Sequence, residues 1–130
     1  QLTTLTPFHN SIETIYYAFA NCTSLQKVPD DFYIPSKVVD IHQLFTDCSN
    51  LTSLPTNFTI TNNISDIRQT FSNCSKLEGT IILDTTPDKY INCFQNLEKY
   101  GKLKVNYTIN CTNIDRILNY DTTLKGSLIQ

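Results

Sequence analysis

The sequence contains no methionine, not even at its first position. We read it as a mature product, an excised piece or a part of a longer chain. Only three glycines occur, Gly79, Gly101 and Gly126, and they are scattered, so no glycine-rich phosphate loop can be built. Two histidines are present, His9 and His42. A cysteine nucleophile needs a base beside it, and both histidines read as solvated surface residues. No apolar run approaches the ~20 residues needed to cross a bilayer. There is also no secretion-type hydrophobic region or cleavage site, so any such signal was removed or lies outside these residues. The net charge of −2 is unbiased and argues against nucleic acid or an anionic membrane as partner. The 130 residues suffice for one domain, and a hydrophobic content of 40% argues against disorder.

What the chain does have is a repeat. Phe19-Ala-Asn-Cys22-Thr-Ser-Leu25, Phe45-Thr-Asp-Cys48-Ser-Asn-Leu51 and Phe71-Ser-Asn-Cys74-Ser-Lys-Leu77 follow one another at an offset of 26 residues. Upstream, Ile15, Ile41 and Ile67 share a register, as do Ile12, Val38 and Ile64. Downstream, Val28-Pro29 matches Leu54-Pro55, and Phe32 matches Phe58. Leu2 and Phe8 fit too, so the chain opens inside a repeat. Another step of the same size reaches Cys93, Leu97, Tyr100 and Leu103, a degenerate fourth copy, and after Ile109 the register fades.

Ile12, Ile15, Phe19 and Cys22 are spaced three, four and three apart, as on one face of an α-helix. A polar turn and a Leu-x-x-Val/Leu stretch follow. This predicts a short strand ending near Pro29 or Pro55, because proline cannot donate to a sheet ladder. The predicted class is an α/β leucine-rich-repeat solenoid of about four 26-residue coils, each a helix plus a short parallel strand. The whole of 1–130 reads as one domain: coils near 1–25, 26–51, 52–77 and 78–103, and a divergent end or cap over 104–130. A lone coil cannot bury its apolar side, whereas stacking places Phe on Phe and Leu on Leu.

The pattern Ile-x-x-x-Phe-x-x-Cys-x-x-Leu-x-x-Val/Leu-Pro, carried by Ile15 to Pro29, Ile41 to Pro55 and less closely Ile67 to Leu77, resembles the BspA-like leucine-rich repeats. The resemblance covers about residues 2 to 109. It implies a secreted or cell-surface adhesion module that binds a protein or carbohydrate on a host or neighbouring cell. Two other settings share such repeats: a structural or receptor-binding domain of a phage tail or virion appendage, and a non-catalytic module attached to a hydrolase. The third copy departs from the pattern with Thr80-Ile81-Ile82-Leu83, and the fourth loses both Phe and Cys.

No catalytic residue, cofactor or metal is expected. Cys22, Cys48 and Cys74 share one register without Cys-x-x-Cys spacing, so they read as a column of small buried thiols. Cys93 reads as core at an Ile register, and Cys111 has no place in the pattern. Asp30-Asp31 read as a turn. Asn62, Asn63 and Asp66 are a weak calcium pattern. Gln43, Gln69 and Gln95 read as a polar ladder. Seven Asn-x-Ser/Thr sequons, from Asn21 to Asn110, are explained mostly by motif and composition. The candidate contact residues are Lys76, Glu78, Lys102 and Lys104, the charged end of a gradient along the strand side, and the aromatics Tyr16 and Tyr33.

Overall fold

A computed structural model describes residues 11–97, 103–118 and 128–129. Lys102 and His9 lie outside the described residues, as do Leu2, Phe8 and Tyr100.

The predicted helices are absent. Residues 12–22, 38–48 and 64–74 form chains of tight turns, and the one α-helix among the described residues is α1, Ile114–Leu118. The helix-plus-strand coil is therefore corrected to a coil of turns and isolated bridges. The backbone hydrogen bonds give the physical reason. A helix would send every N–H to the carbonyl four residues back. Here the N–H groups alternate. Those of Ala18, Ala20 and Cys22 close turns onto Ile15, Tyr17 and Phe19. Those of Ile15, Tyr17, Phe19 and Asn21 leave the coil for the carbonyls of Asp40, His42, Leu44 and Thr46. The next two coils repeat this. Ile41, Gln43, Phe45 and Asp47 donate to Asp66, Arg68, Thr70 and Ser72, and Ile67, Gln69, Phe71 and Asn73 donate to Lys89, Ile91, Cys93 and Gln95. The bonds between coils measure 2.8–3.2 Å. Each turn arm thus satisfies half of its donors through its neighbour.

The turns need left-handed residues. Tyr17, Gln43, Gln69 and Asn92 occupy one such column, with φ between 55° and 59°. Asn21, Asp47, Asn73 and Asn96 occupy a second, with φ between 59° and 64°. Asn and Asp tolerate this conformation better than other non-glycine residues. The second column is further tied by its side chains, since Asn73 Nδ2 donates to Asp47 Oδ1 at 2.6 Å and Asn96 Nδ2 to Asn73 Oδ1 at 2.7 Å.

Stacking buries the spine. The rings of Phe19, Phe45, Phe71 and Phe94 lie one above another, with centroids 5.8, 6.0 and 6.0 Å apart. Phe32 packs edge-on against Phe19 and Phe45, and Phe58 against Phe71. Ile41, Leu44, Ile64, Ile67, Leu51 and Leu77 complete one continuous core.

Strands begin later in the coil than predicted. The stretches before Pro29 and Pro55 hold only an isolated bridge, Lys27 to Ser53. The parallel sheet has order β1-β2-β3-β4: β1 Phe58–Ile60, β2 Gly79–Leu83, β3 Leu103–Tyr107 and β4 Leu128–Ile129. Phe58 pairs with Ile81, and Ile81 with Val105, which places inward residues over inward residues.

The fourth copy is also corrected. The offset of 26 residues holds through Glu78, whose N–H donates to the Thr52 carbonyl, but Phe58 then pairs with Ile81. The chain has dropped three residues where it passes the Leu54-Pro55 loop, so the offset is 23 residues from the Phe58–Ile81 pair to the Asn73–Asn96 pair, and it is 24 between β2 and β3. Gly79 makes the short cut with φ 105°, which side-chain-bearing residues rarely adopt. The Phe71 register therefore continues at Phe94, not Leu97. Cys93 follows Thr70, Gln95 faces Ser72, and Asn92 follows Gln69. This removes Cys93 from the Ile register and Gln95 from the Gln43–Gln69 ladder.

All five cysteines are buried and free. Cys48 Sγ donates to the Phe19 carbonyl and Cys74 Sγ to that of Phe45, each at 3.0 Å. Cys111 does the same to Leu83 at 3.2 Å. The thiol is thus a small core group with one donor aimed across coils, which explains its recurrence better than size alone. Burial pushes Cys48 up to about 11, and Cys74 and Cys93 well above the usual thiol range. Since the thiolate is the reactive form, these three should resist an alkylating reagent at pH 8 in the folded protein and react fully in denaturant. Intact-mass spectrometry reads this directly, and fast native labelling of Cys74 would contradict the burial.

Candidate functional site

The turn arm places two columns of polar residues side by side. Parallel bridges join Thr14, Asp40, Asp66 and Lys89. Two residues on, the inter-coil bonds bring together Tyr16, His42, Arg68 and Ile91. Asp40 and Asp66 each turn back on the chain: the backbone N–H of His42 donates to Asp40 Oδ1 at 3.0 Å, and that of Arg68 to Asp66 Oδ1 at 3.1 Å. This is the local Asx turn that aspartate favours, and it aims each carboxylate at the side chain two positions on.

The result is a charged cluster spanning two coils. His42 Nδ1 lies 2.6 Å from Asp40 Oδ1 and 3.6 Å from Asp66 Oδ2. Arg68 grips Asp66 through Nε at 3.0 and 3.2 Å and through Nη2 at 2.6 Å. The Tyr16 ring stacks flat on His42 with centroids 4.9 Å apart, and Tyr17 meets the same imidazole edge-on at 5.2 Å. Asp66 is the one charged residue buried among the described residues. His42 is thus no solvated surface histidine, since its side chain is only 19% exposed.

Burial alone would raise the Asp66 pKa. The Arg68 guanidinium and backbone N–H, with His42 nearby, outweigh it and hold the carboxyl below its usual range. A carboxyl whose pKa is lowered by folding adds stability above its unfolded value, near 4. That contribution is lost as pH falls through the lower folded value. Asp66→Asn should therefore flatten the acid limb of the stability profile below about pH 4. Thermal melts at stepped pH test this, and an unchanged acid limb would contradict the pairing.

The other candidates divide between arms. Tyr16 is 49% exposed and belongs to this cluster. Tyr33 is 45% exposed, in the loop after Phe32. Lys76 and Glu78 are exposed on the approach to β2, where Lys76 Nζ donates to Asn50 Oδ1 at 2.9 Å. Lys104 is exposed on β3 opposite Thr80. Asp30 accepts the Thr56 N–H at 2.9 Å and so ties two coils together. Asn63, from the weak calcium pattern, spends its amide on the Ser36 and Val38 carbonyls. Sequence reasoning missed Asp40 and Arg68 as parts of one site with the exposed tyrosines Tyr16 and Tyr17. The signal was present, because Asp40 and Asp66 share a register and so do Tyr16, His42 and Arg68.

An open pocket of about 330 Å³ adjoins the cluster, lined by Arg68, Asp88, Lys89, Tyr90, Ile91 and Arg116. A second, of about 280 Å³, lies at the step left by the shortened third coil, between Ser53–Asn57 and Glu78–Thr80. No protein-family model matches the chain, and neither a curated protein nor a solved structure does.

Proposed function

We propose that the chain is a non-catalytic recognition module, acting at a cell surface or outside the cell, that binds a protein or glycan partner through the outer face of its coils. The observation that carries this reading is the aromatic and charged patch of Tyr16, Tyr17, His42 and Arg68, about half-exposed at both tyrosines and anchored on a rigid coil-to-coil hydrogen-bond ladder. Exposed aromatic rings beside an arginine have the composition of interface anchors. Preorganisation lowers the entropy cost of binding, and the ladder and the ion pairs supply it. The likeness to BspA-like repeats supports adhesion as the setting.

The test is a screen of the full chain against glycan arrays and cell-surface proteins, followed by Tyr16→Ala/Tyr17→Ala on each hit. The double variant should weaken binding by more than about tenfold. A parallel charge reversal at Lys76 and Lys104 measures the contribution of the strand side. Full affinity in the tyrosine variant would move the contact surface away from the turn arm.

A further inference from the structure

Asp40, His42 and Asp66 each bring one ligand atom to within 4.8 Å of the others. We propose that they form a binding site for a divalent transition ion of the zinc class, which clamps the second coil to the third. The donor set is mixed, one imidazole nitrogen and two carboxylate oxygens. That composition favours borderline ions over calcium or magnesium, which take oxygen ligands alone.

The geometry supports the proposal at three points. The Nδ1 atom faces Asp40 Oδ1 at 2.6 Å and Asp66 Oδ2 at 3.6 Å. The imidazole N–H reaches only the nearer oxygen, and Asp66 Oδ2 is held by Arg68, whereas a cation among the three would join both carboxylates to the imidazole. Zinc bonds of about 2.0–2.2 Å need ligand atoms roughly 3–3.5 Å apart, so small side-chain movements suffice. Each ligand is also held from behind. Asp66, with a side chain 8% exposed, is fixed by Arg68. Asp40 is fixed by the His42 backbone N–H. The imidazole is fixed by the two tyrosine rings. Such outer partners orient metal ligands. Arg68 meets Asp66 Oδ2 through Nη2 at 2.6 Å and, at the longer distance of 3.2 Å, through Nε, so the ion would replace the longer of the two contacts. Three protein ligands leave a fourth position for water. Loading puts the ion on the Nδ1 lone pair, and a proton there moves to Nε2 or to solvent, with no change of oxidation state.

The experiment titrates zinc chloride into the full chain by calorimetry and thermal melting, with cobalt(II) as spectroscopic probe. One equivalent should bind and raise the melting temperature. The cobalt spectrum should lack a strong thiolate charge-transfer band. His42→Gln and Asp40→Asn, both at partly exposed positions, should fold normally by circular dichroism and each weaken binding by on the order of 100-fold. Absence of binding up to millimolar zinc would overturn the proposal. So would full affinity in either variant, or a thiolate band, which would place the ion on the cysteines. The proposal stands apart from the recognition role: zinc can bind without any partner docking, and the reverse holds too.

Discussion

Alanine at Phe45 is expected to cost about 3–5 kcal/mol, the usual range for emptying a buried phenylalanine site. The ring is fully buried and has aromatic neighbours on three sides: Phe19 at 5.8 Å, Phe71 at 6.0 Å and Phe32 edge-on at 6.2 Å. Stacked and edge-on pairs add about 0.5–1.5 kcal/mol each beyond area burial, and alanine removes all three. Position amplifies the loss. In a stack each coil contacts only its neighbours, so stability is a sum of nearest-neighbour interfaces. Phe45 belongs to two of them. Domains of this size are stable by about 5–15 kcal/mol, so the variant should sit near its unfolding threshold. Urea denaturation measures the change, and Phe45→Leu, which keeps most of the bulk, should lose distinctly less. A loss below about 1 kcal/mol for alanine would mean that the phenylalanine column does not hold the coils together.

The repeat was legible because the core is built by superposition. Identical residues recur in the sequence because identical residues touch in space, as Phe19, Phe45 and Phe71 do. The conformation of the turn arm was not. Spacings of three and four describe a helix face, but a run of tight turns also returns inward residues at those intervals. What separates the two is where alternate N–H groups go, and periodicity carries no record of that. One local signal pointed the right way. Asn21, Asp47 and Asn73 recur at one position, and Asn and Asp are poor helix-interior residues but good left-handed ones. The fourth copy was misread for a different reason. A fixed step of 26 residues skips the shortening at Gly79, although Tyr90, Phe94 and Leu97 repeat the spacing of Ile67, Phe71 and Cys74.

The site was harder to read than the core. Its residues vary along each column, from Thr14 through two aspartates to Lys89, and from Tyr16 through His42 to Arg68. A register filled with one residue type declares packing. A register filled with different charged types declares chemistry only once the inter-coil step is known, because His42 must be set opposite Asp66 before an ion pair can be inferred. Placing the turn arm on a helix also turned His42 outward, away from its carboxylates.

Gln43 offers the sharpest test of that backbone. Its φ is 55°, its N–H donates to the Arg68 carbonyl at 2.8 Å, and it is the third residue of the turn closed by Leu44 onto Ile41. A residue with a Cβ pays roughly 1–2 kcal/mol in this conformation. Glycine removes that strain and returns about 0.5–1 kcal/mol of it through greater freedom of the unfolded chain. Gln43→Gly is therefore expected to be neutral or to stabilise by up to about 1 kcal/mol. Gln43→Val places a β-branched side chain at positive φ and should destabilise by about 1–3 kcal/mol. A helix would rank the pair the other way, since glycine in a helix interior costs about 0.8–1.0 kcal/mol relative to alanine and valine costs less. The order of the two midpoints in urea thus decides between the backbones. Glycine below valine would return the arm to a helix, and with it would go the left-handed column, the ladder that leaves the coil at alternate residues, and the approach of His42 to Asp66.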